Sequence, residues 1–123
     1  MDFYMISFDV EVFKMNAEVI RINSTLGDTY DKVSMLIESD SLEFVDYNSE
    51  IVMIIDEQGK FKKNNPLFRI ITEDGITLEL AGKILFARNI ENEFSTDIGS
   101  IVPVDISYLR DNLDIKLLGI INR

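Results

Sequence analysis

The sequence predicts an α+β fold, a mostly antiparallel sheet carrying two helices, in a single domain over residues 1-123. Three observations predict it. Short apolar segments, alternating or unbroken, recur between turn-forming residues, as strands joined by hairpins require. Two other stretches carry their apolar residues at helical spacing. No internal repeat, low-complexity tract or Gly/Ser linker divides the chain.

Ile6, Phe8, Val10 and Val12 alternate with Ser7, Asp9 and Glu11, which predicts a half-buried strand with one wet face. Lys14-Met15-Asn16 reads as a turn and residues 17–22 as the returning strand. Ser24 or Thr25 caps the first helix, and Asp28 stands three residues after Thr25, as in a capping box. Leu26, Tyr30, Val33 and Ile37 make the apolar stripe of that helix, widened by Met35 and Leu36. Residues 44–47 and 51–55 follow as strands. The run IVMII does not alternate, so it predicts a central strand covered on both faces.

Asp56-Glu57-Gln58-Gly59 reads as a turn in which Gly59 takes a positive φ. Its carboxylates are too few, and wrongly spaced, for a Ca²⁺ loop. Pro66 excludes a central strand at its own position. Residues 68–72 and 76–80 make a hairpin around Glu73-Asp74-Gly75, and residues 83–87 extend or follow it. Residues 100–112 contain the second helix: Pro103 suits its first turn, Asp105 favours its positive end, and Ile106, Leu109 and Leu113 form its stripe. Residues 115–121 are a closing strand or an apolar tail docked on another subunit. The expected order is β-β-α-β-β-β-β-α-β.

Composition narrows function. With 46% hydrophobic and 28% charged residues, the chain is ordinary for a globular protein and should fold without metal or disulfide. It contains no cysteine, which removes disulfides, thiolate nucleophiles and thiolate metal sites together. It contains no histidine, the one side chain whose ordinary pKa lies near neutrality. Acid–base chemistry would therefore need a carboxylate or lysine shifted far from its usual range. These absences point to binding without catalysis, and to no cofactor and no metal.

Twelve basic residues against 22 acidic ones give a net charge of -10, a field that repels nucleic acid. Any phosphate site must then draw on Arg21, Arg69, Arg88, Arg110 and Arg123. The N-terminus carries Asp2, Asp9 and Glu11 and no basic leader, unlike a signal peptide. The longest apolar runs, 51–55 and 117–121, reach about a quarter of a membrane span. A cytoplasmic protein is expected.

Three groups of residues invite a chemical reading. Asp56/Glu57 and Glu73/Asp74 resemble acid pairs, but adjacent carboxylates at a turn do not flank a substrate bond. Solvated turns that guard the sheet edge are the stronger reading. Lys60, Lys62 and Lys63 with Asn64-Asn65-Pro66 form the basic cluster, read as a solvated loop in so acidic a chain. Residues 86–99 are too polar for a core element and too long for a tight turn, so a long ordered loop is expected there. An aromatic ring in it can stack on a base, asparagine can read a base edge and arginine can fork a phosphate. The plainer reading makes Phe86 and Phe94 core anchors and pairs Arg88 with Glu91 or Glu93. On the residues alone, the plainer reading stands ahead.

From residue 19 to about residue 113 the chain resembles a widespread phage family of small proteins. The resemblance rests on the leading hairpin, the helix over 30–37, and IVMIIDEQGKFKKNNP with its Asp-Glu-x-Gly-Lys turn and Asn-Pro. ELAGKILFAR and VDISYLRDNL follow in the same order. Within that neighbourhood it looks like the Thoeris anti-defence type, sponges that trap a cyclic ADP-ribose signal made by bacterial TIR-domain enzymes without cleaving it. The resemblance implies a homo-oligomer, dimer or higher, with ligand pockets where protomers meet. It places Phe86, or Phe94 in its stead, on the base, Asn92 on a polar edge, and Arg88 and Arg110 on the pyrophosphate, with Asn89 and Arg123 as further ligand-binding residues. A competing class is an acidic interaction protein or DNA mimic that inhibits a bacterial defence nuclease.

Overall fold

The apolar segments build two antiparallel sheets rather than one. A computed structural model describes residues 1–23, 29–91 and 96–122. Its elements are β1 (Asp2–Asp9), β2 (Lys14–Arg21), α1 (Thr29–Ile37), β3 (Leu42–Asp46) and β4 (Ile51–Asp56). After a single 3-10 turn (Gly59–Phe61) come β5 (Pro66–Ile71), β6 (Thr77–Ala81), β7 (Ile84–Glu91), β8 (Thr96–Gly99), α2 (Pro103–Asn112) and β9 (Asp114–Ile120). The larger sheet has the order β2-β1-β7-β4-β3, with β8 also paired to β7; the smaller has the order β6-β5-β9. The α+β class and its two helices are as the sequence predicts, while β8 and the division into two sheets are additions.

The layering follows from which faces are apolar. One face of the larger sheet presents Phe3, Met5, Val52, Ile54, Leu85 and Ala87 to Val33 and Ile37 of α1. Its other face presents Tyr4, Ile6, Met53, Ile55, Ile84 and Phe86 to Phe68, Ile70 and Leu80 of the smaller sheet and Leu109 of α2. A strand in the middle of such a sandwich has no wet face, and every residue of β4 is buried. The unbroken IVMII run predicted this. Phe3, Tyr4, Met5 and Ile6 of β1 are buried for the same reason.

Several local expectations need correction. The first strand starts earlier and ends at Asp9, so Val10 and Val12 lie exposed in the turn and Lys14-Met15-Asn16 belong to β2. The alternation there is real, but it continues past the sheet that would have covered it. Met35 does not widen the buried stripe of α1; it points to solvent, 77% exposed, while Tyr30 rests on Phe44. Ser24, Thr25 and Leu26 lie outside the described residues.

Gly59 does not take a positive φ, which belongs to Gly75 and Gly82. Its glycine character answers to space instead: a Cβ there would stand 2.5 Å from the Ala81 carbonyl oxygen. Pro66 is the first residue of β5, a position that tolerates a missing donor even in the middle strand of a sheet. α2 starts at Pro103 as expected. Asp105 in its first turn accepts the Val102 amide hydrogen at 3.2 Å, closing one of the open donors of the helix end. No helix among the described residues is long and apolar enough to cross a membrane.

Candidate functional site

The stretch expected as a long loop, 86–99, is largely a hairpin. β7 runs on to Glu91 and β8 returns from Thr96, with Arg88 opposite Gly99 and Asn89 opposite Ile98. The hairpin continues past the start of β1, where the Ile101 amide donates to the Asp2 carbonyl at 2.8 Å. Polar side chains are tolerated there because this part of β7 lies beyond the covered centre of the sheet.

Phe86 has no accessible surface and sits between Tyr4 and Tyr47, each with its ring centroid 6.1 Å away. It is a core anchor, and the expectation that it stacks on a base is overturned: both ring faces are covered by the protein. The partners of Arg88 among the described residues are distant in sequence, and the side chains of Glu91 and Glu93 lie outside the described residues. Arg88 Nε donates to Asp105 Oδ2 at 3.1 Å and its Nη2 reaches Glu50 at 3.5 Å. The hydrogen bond that Arg88 donates to Asp105, then the charge of Asp105, raises the guanidinium pKa and keeps it charged. Asp105 is 8% exposed and thus ties the hairpin to the first turn of α2.

Asn89 is half-buried on the opposite face of β7 from Arg88, and its backbone amide donates to the Glu50 carbonyl at 2.8 Å. Arg110 is exposed in the last turn of α2. It follows Asp105 by five residues, so it leaves the helix about 140° away from the side that meets Arg88. Arg88 and Asn89 are successive residues of β7, so their side chains leave opposite faces of the sheet; Arg110 is not brought to Arg88, and Phe86 is withdrawn into the core. Asn92, Phe94 and Arg123 lie outside the described residues.

Two clefts on this surface are acidic. One, of about 460 Å³, lies between the β3–β4 turn and the β5–β6 turn and is lined by Asp46, Tyr47, Asn48, Glu73, Asp74 and Ile76, among others. None of its described lining residues is basic. Both turns are stiffened by their own side chains. Asn48 Oδ1 accepts the amides of Glu50 and Ile51 at 2.8 and 2.6 Å, and Thr72 donates to Asp74 at 2.6 Å. The Glu73 amide donates to the Tyr47 carbonyl at 3.1 Å, joining the two turns, and the Tyr108 hydroxyl donates to Glu73 at 2.7 Å. Burial first, then the charges of Glu73 and Asp114, push the Tyr47 hydroxyl above the ordinary phenol range. The hydrogen bond to Glu73 does the same to Tyr108.

A second cleft, of about 560 Å³, includes Glu43, Asp56, Glu57 and Glu79, with Lys60 as its cation. Asp56 is the surprise. Expected in a solvated turn, it is 5% exposed at the end of β4, accepting from Ser39 Oγ at 2.7 Å, the Gln58 amide at 2.9 Å and Lys62 Nζ at 2.6 Å. Burial pushes its carboxyl up, but Lys62, Ser39 and Gln58 together outweigh that and hold it below the usual carboxylate range. Lys62 is thus a strut rather than a free phosphate contact.

The sequence marked Glu73 and Asp74 as turn residues but carried no sign that their turn meets the one at Asp46–Asn48. That meeting depends on how the two sheets pack. Comparison with known proteins returns no matching family model, no matching curated protein and no matching solved structure.

Proposed function

We propose that this chain is a non-catalytic binding protein of the cytoplasm that acts by occupying a partner through its acidic surface. One observation carries this reading: carboxylates line two clefts, while five of the basic side chains are drawn into ion pairs within the fold. Arg21 is held by Asp2, Lys62 by Asp56, Arg69 by Asp114, Lys83 by Glu38 and Arg88 by Asp105. With a net charge of -10, such a surface attracts a basic protein face, including the nucleic-acid-binding face of a nuclease. The lack of histidine and cysteine supports the absence of catalysis.

Calorimetric titration with a decameric oligoarginine tests it. Binding is expected to weaken more when Asp46, Glu73 and Asp74 are neutralised together than when the exposed Asp31, Asp40 and Asp111 are. Equal losses would reduce the attraction to net charge and sink the site.

A second reading is the nucleotide sponge implied by the family resemblance. It is favoured by Arg88, a half-buried guanidinium oriented by Asp105. A phosphate would have to displace Asp105 or Glu50, and Phe94 or another copy would have to supply the base-stacking face. The protein is incubated with a cyclic ADP-ribose isomer, filtered and then heated. Intact nucleotide released only on denaturation supports sequestration; free passage of the nucleotide through the filter removes this reading.

A further inference from the structure

β2 is one of the two edges of the larger sheet and, among the described residues, pairs only with β1. An unpaired edge this long is a template for another strand, and proteins usually blunt it. Here it is exposed almost throughout. Its two faces differ. The register with β1 puts Met15, Ala17 and Val19 on one face, opposite Phe8, Ile6 and Tyr4. It puts Lys14, Asn16, Glu18 and Ile20 on the other, opposite Asp9, Ser7, Met5 and Phe3. Among the described residues, neither Lys14 nor Glu18 has an ion-pair partner.

Two copies can join such edges antiparallel only about an axis perpendicular to the sheet, so opposed residues share a face and the axis passes between the two copies of one self-paired residue. That leaves few registers. Centring on Glu18 sets like charges against each other, which is unfavourable. Centring on Ala17 puts Lys14 against Ile20 and leaves both Glu18 side chains against Asn16. Centring on Asn16 puts Lys14 against Glu18 twice and Met15 against Ala17 twice, satisfying both faces at once. It also carries the hairpin tip of each copy, with exposed Val12 and Phe13, alongside Val19 and Ile20 of the other. Ile20 opens there onto an apolar groove that includes Met35 and Leu36 of α1. This groove also explains why Met35 can stay apolar while facing outward.

We propose that two copies pair antiparallel through their β2 edges about Asn16, with Lys14 of each facing Glu18 of the other and each hairpin tip reaching the groove at Ile20, Met35 and Leu36. The pairing is independent of the partner or ligand proposed above, since β2 contributes to neither acidic cleft nor to the Arg88 hairpin.

Sedimentation and light scattering over a concentration series test it, with circular dichroism as the check that these exposed substitutions leave the fold intact. The wild-type chain is expected to dimerise. Lys14→Glu alone and Glu18→Lys alone should each weaken the dimer about tenfold or more, because each contact occurs twice. Mixing the two single variants should restore association as a heterodimer, since both contacts then join an acid to a base. The double variant Lys14→Glu/Glu18→Lys should restore a homodimer. A wild-type monomer at every concentration overturns the pairing, as does a dimer that ignores the single reversals or a mixture that stays apart.

Discussion

β4 and β2 belong to one sheet and differ in almost every physical respect. β4 is buried on both faces from Ile51 to Asp56, whereas β2 is exposed nearly throughout. Both carry apolar residues, so hydrophobicity alone does not separate them. Position does: β4 lies between β3 and β7 with α1 above and the smaller sheet below, while β2 is an edge that meets the α1 layer only through its half-buried Ile20. A strand's stability contribution is thus set by what covers it, and an uncovered apolar strand is better read as a surface for association.

The sharpest way to break this comparison is at the covered centre. Phe86→Ala should lower the unfolding free energy by about 3–5 kcal/mol in denaturant titration, as truncating a buried phenylalanine does. A folded variant of unchanged stability would return Phe86 to the candidates for ligand stacking. Ile54→Ala, in the middle of β4 with no exposed surface, should cost about 2–5 kcal/mol by the same measurement.

Gly59→Ala sharpens the question of how tightly the layers approach. The added Cβ would overlap the Ala81 carbonyl, and backbone yields less readily than a side-chain end. A loss of about 1–3 kcal/mol in chemical denaturation is expected, typical of overpacking. A neutral outcome would mean that β6 can shift away from the 3-10 turn.

Asp56→Asn tests the one charge buried at the end of β4. It should cost about 1–2 kcal/mol near neutral pH through its weakened hydrogen bonds, read from denaturant midpoints. The sign of the pH effect follows from the lowered carboxyl. Its stabilisation is fully present above the ordinary carboxylate range and is lost as pH falls through the lower folded-state value. The wild-type stability curve should therefore drop on the acid side more steeply than that of the variant. Parallel curves would show that Lys62 does not depend on the Asp56 charge.

The smallest effect is expected on the open edge. Val19→Ala in β2, measured in dilute protein, should stay within about 0.5 kcal/mol of wild type. A loss comparable to that at Ile54 would erase the contrast between the two strands.

The α+β class, the double coverage of β4, the start of α2 at Pro103 and the placement of Asp105 in its first turn were legible from sequence, because each depends on patterning within a few residues. The candidate site was less legible. Glu73 and Asp74 read as solvated turn residues, yet their turn forms one wall of a cleft completed by Asp46–Asn48. Arg88 read as a partner for nearby glutamates; among the described residues its carboxylates are Asp105 and Glu50, 17 and 38 residues away in sequence.

The sequence by itself determined the net charge, the lack of histidine and cysteine, and the alternation or continuity of each apolar run, since these are properties of single residues and their neighbours. Only the tertiary structure decided that the strands divide into two sheets, that Phe86 faces inward, that Asp56 is buried and that β2 stands nearly uncovered. Each of those depends on which distant segment packs on which face, and the alternation of side chains along a strand is the same whether a face meets a helix, a second sheet or water.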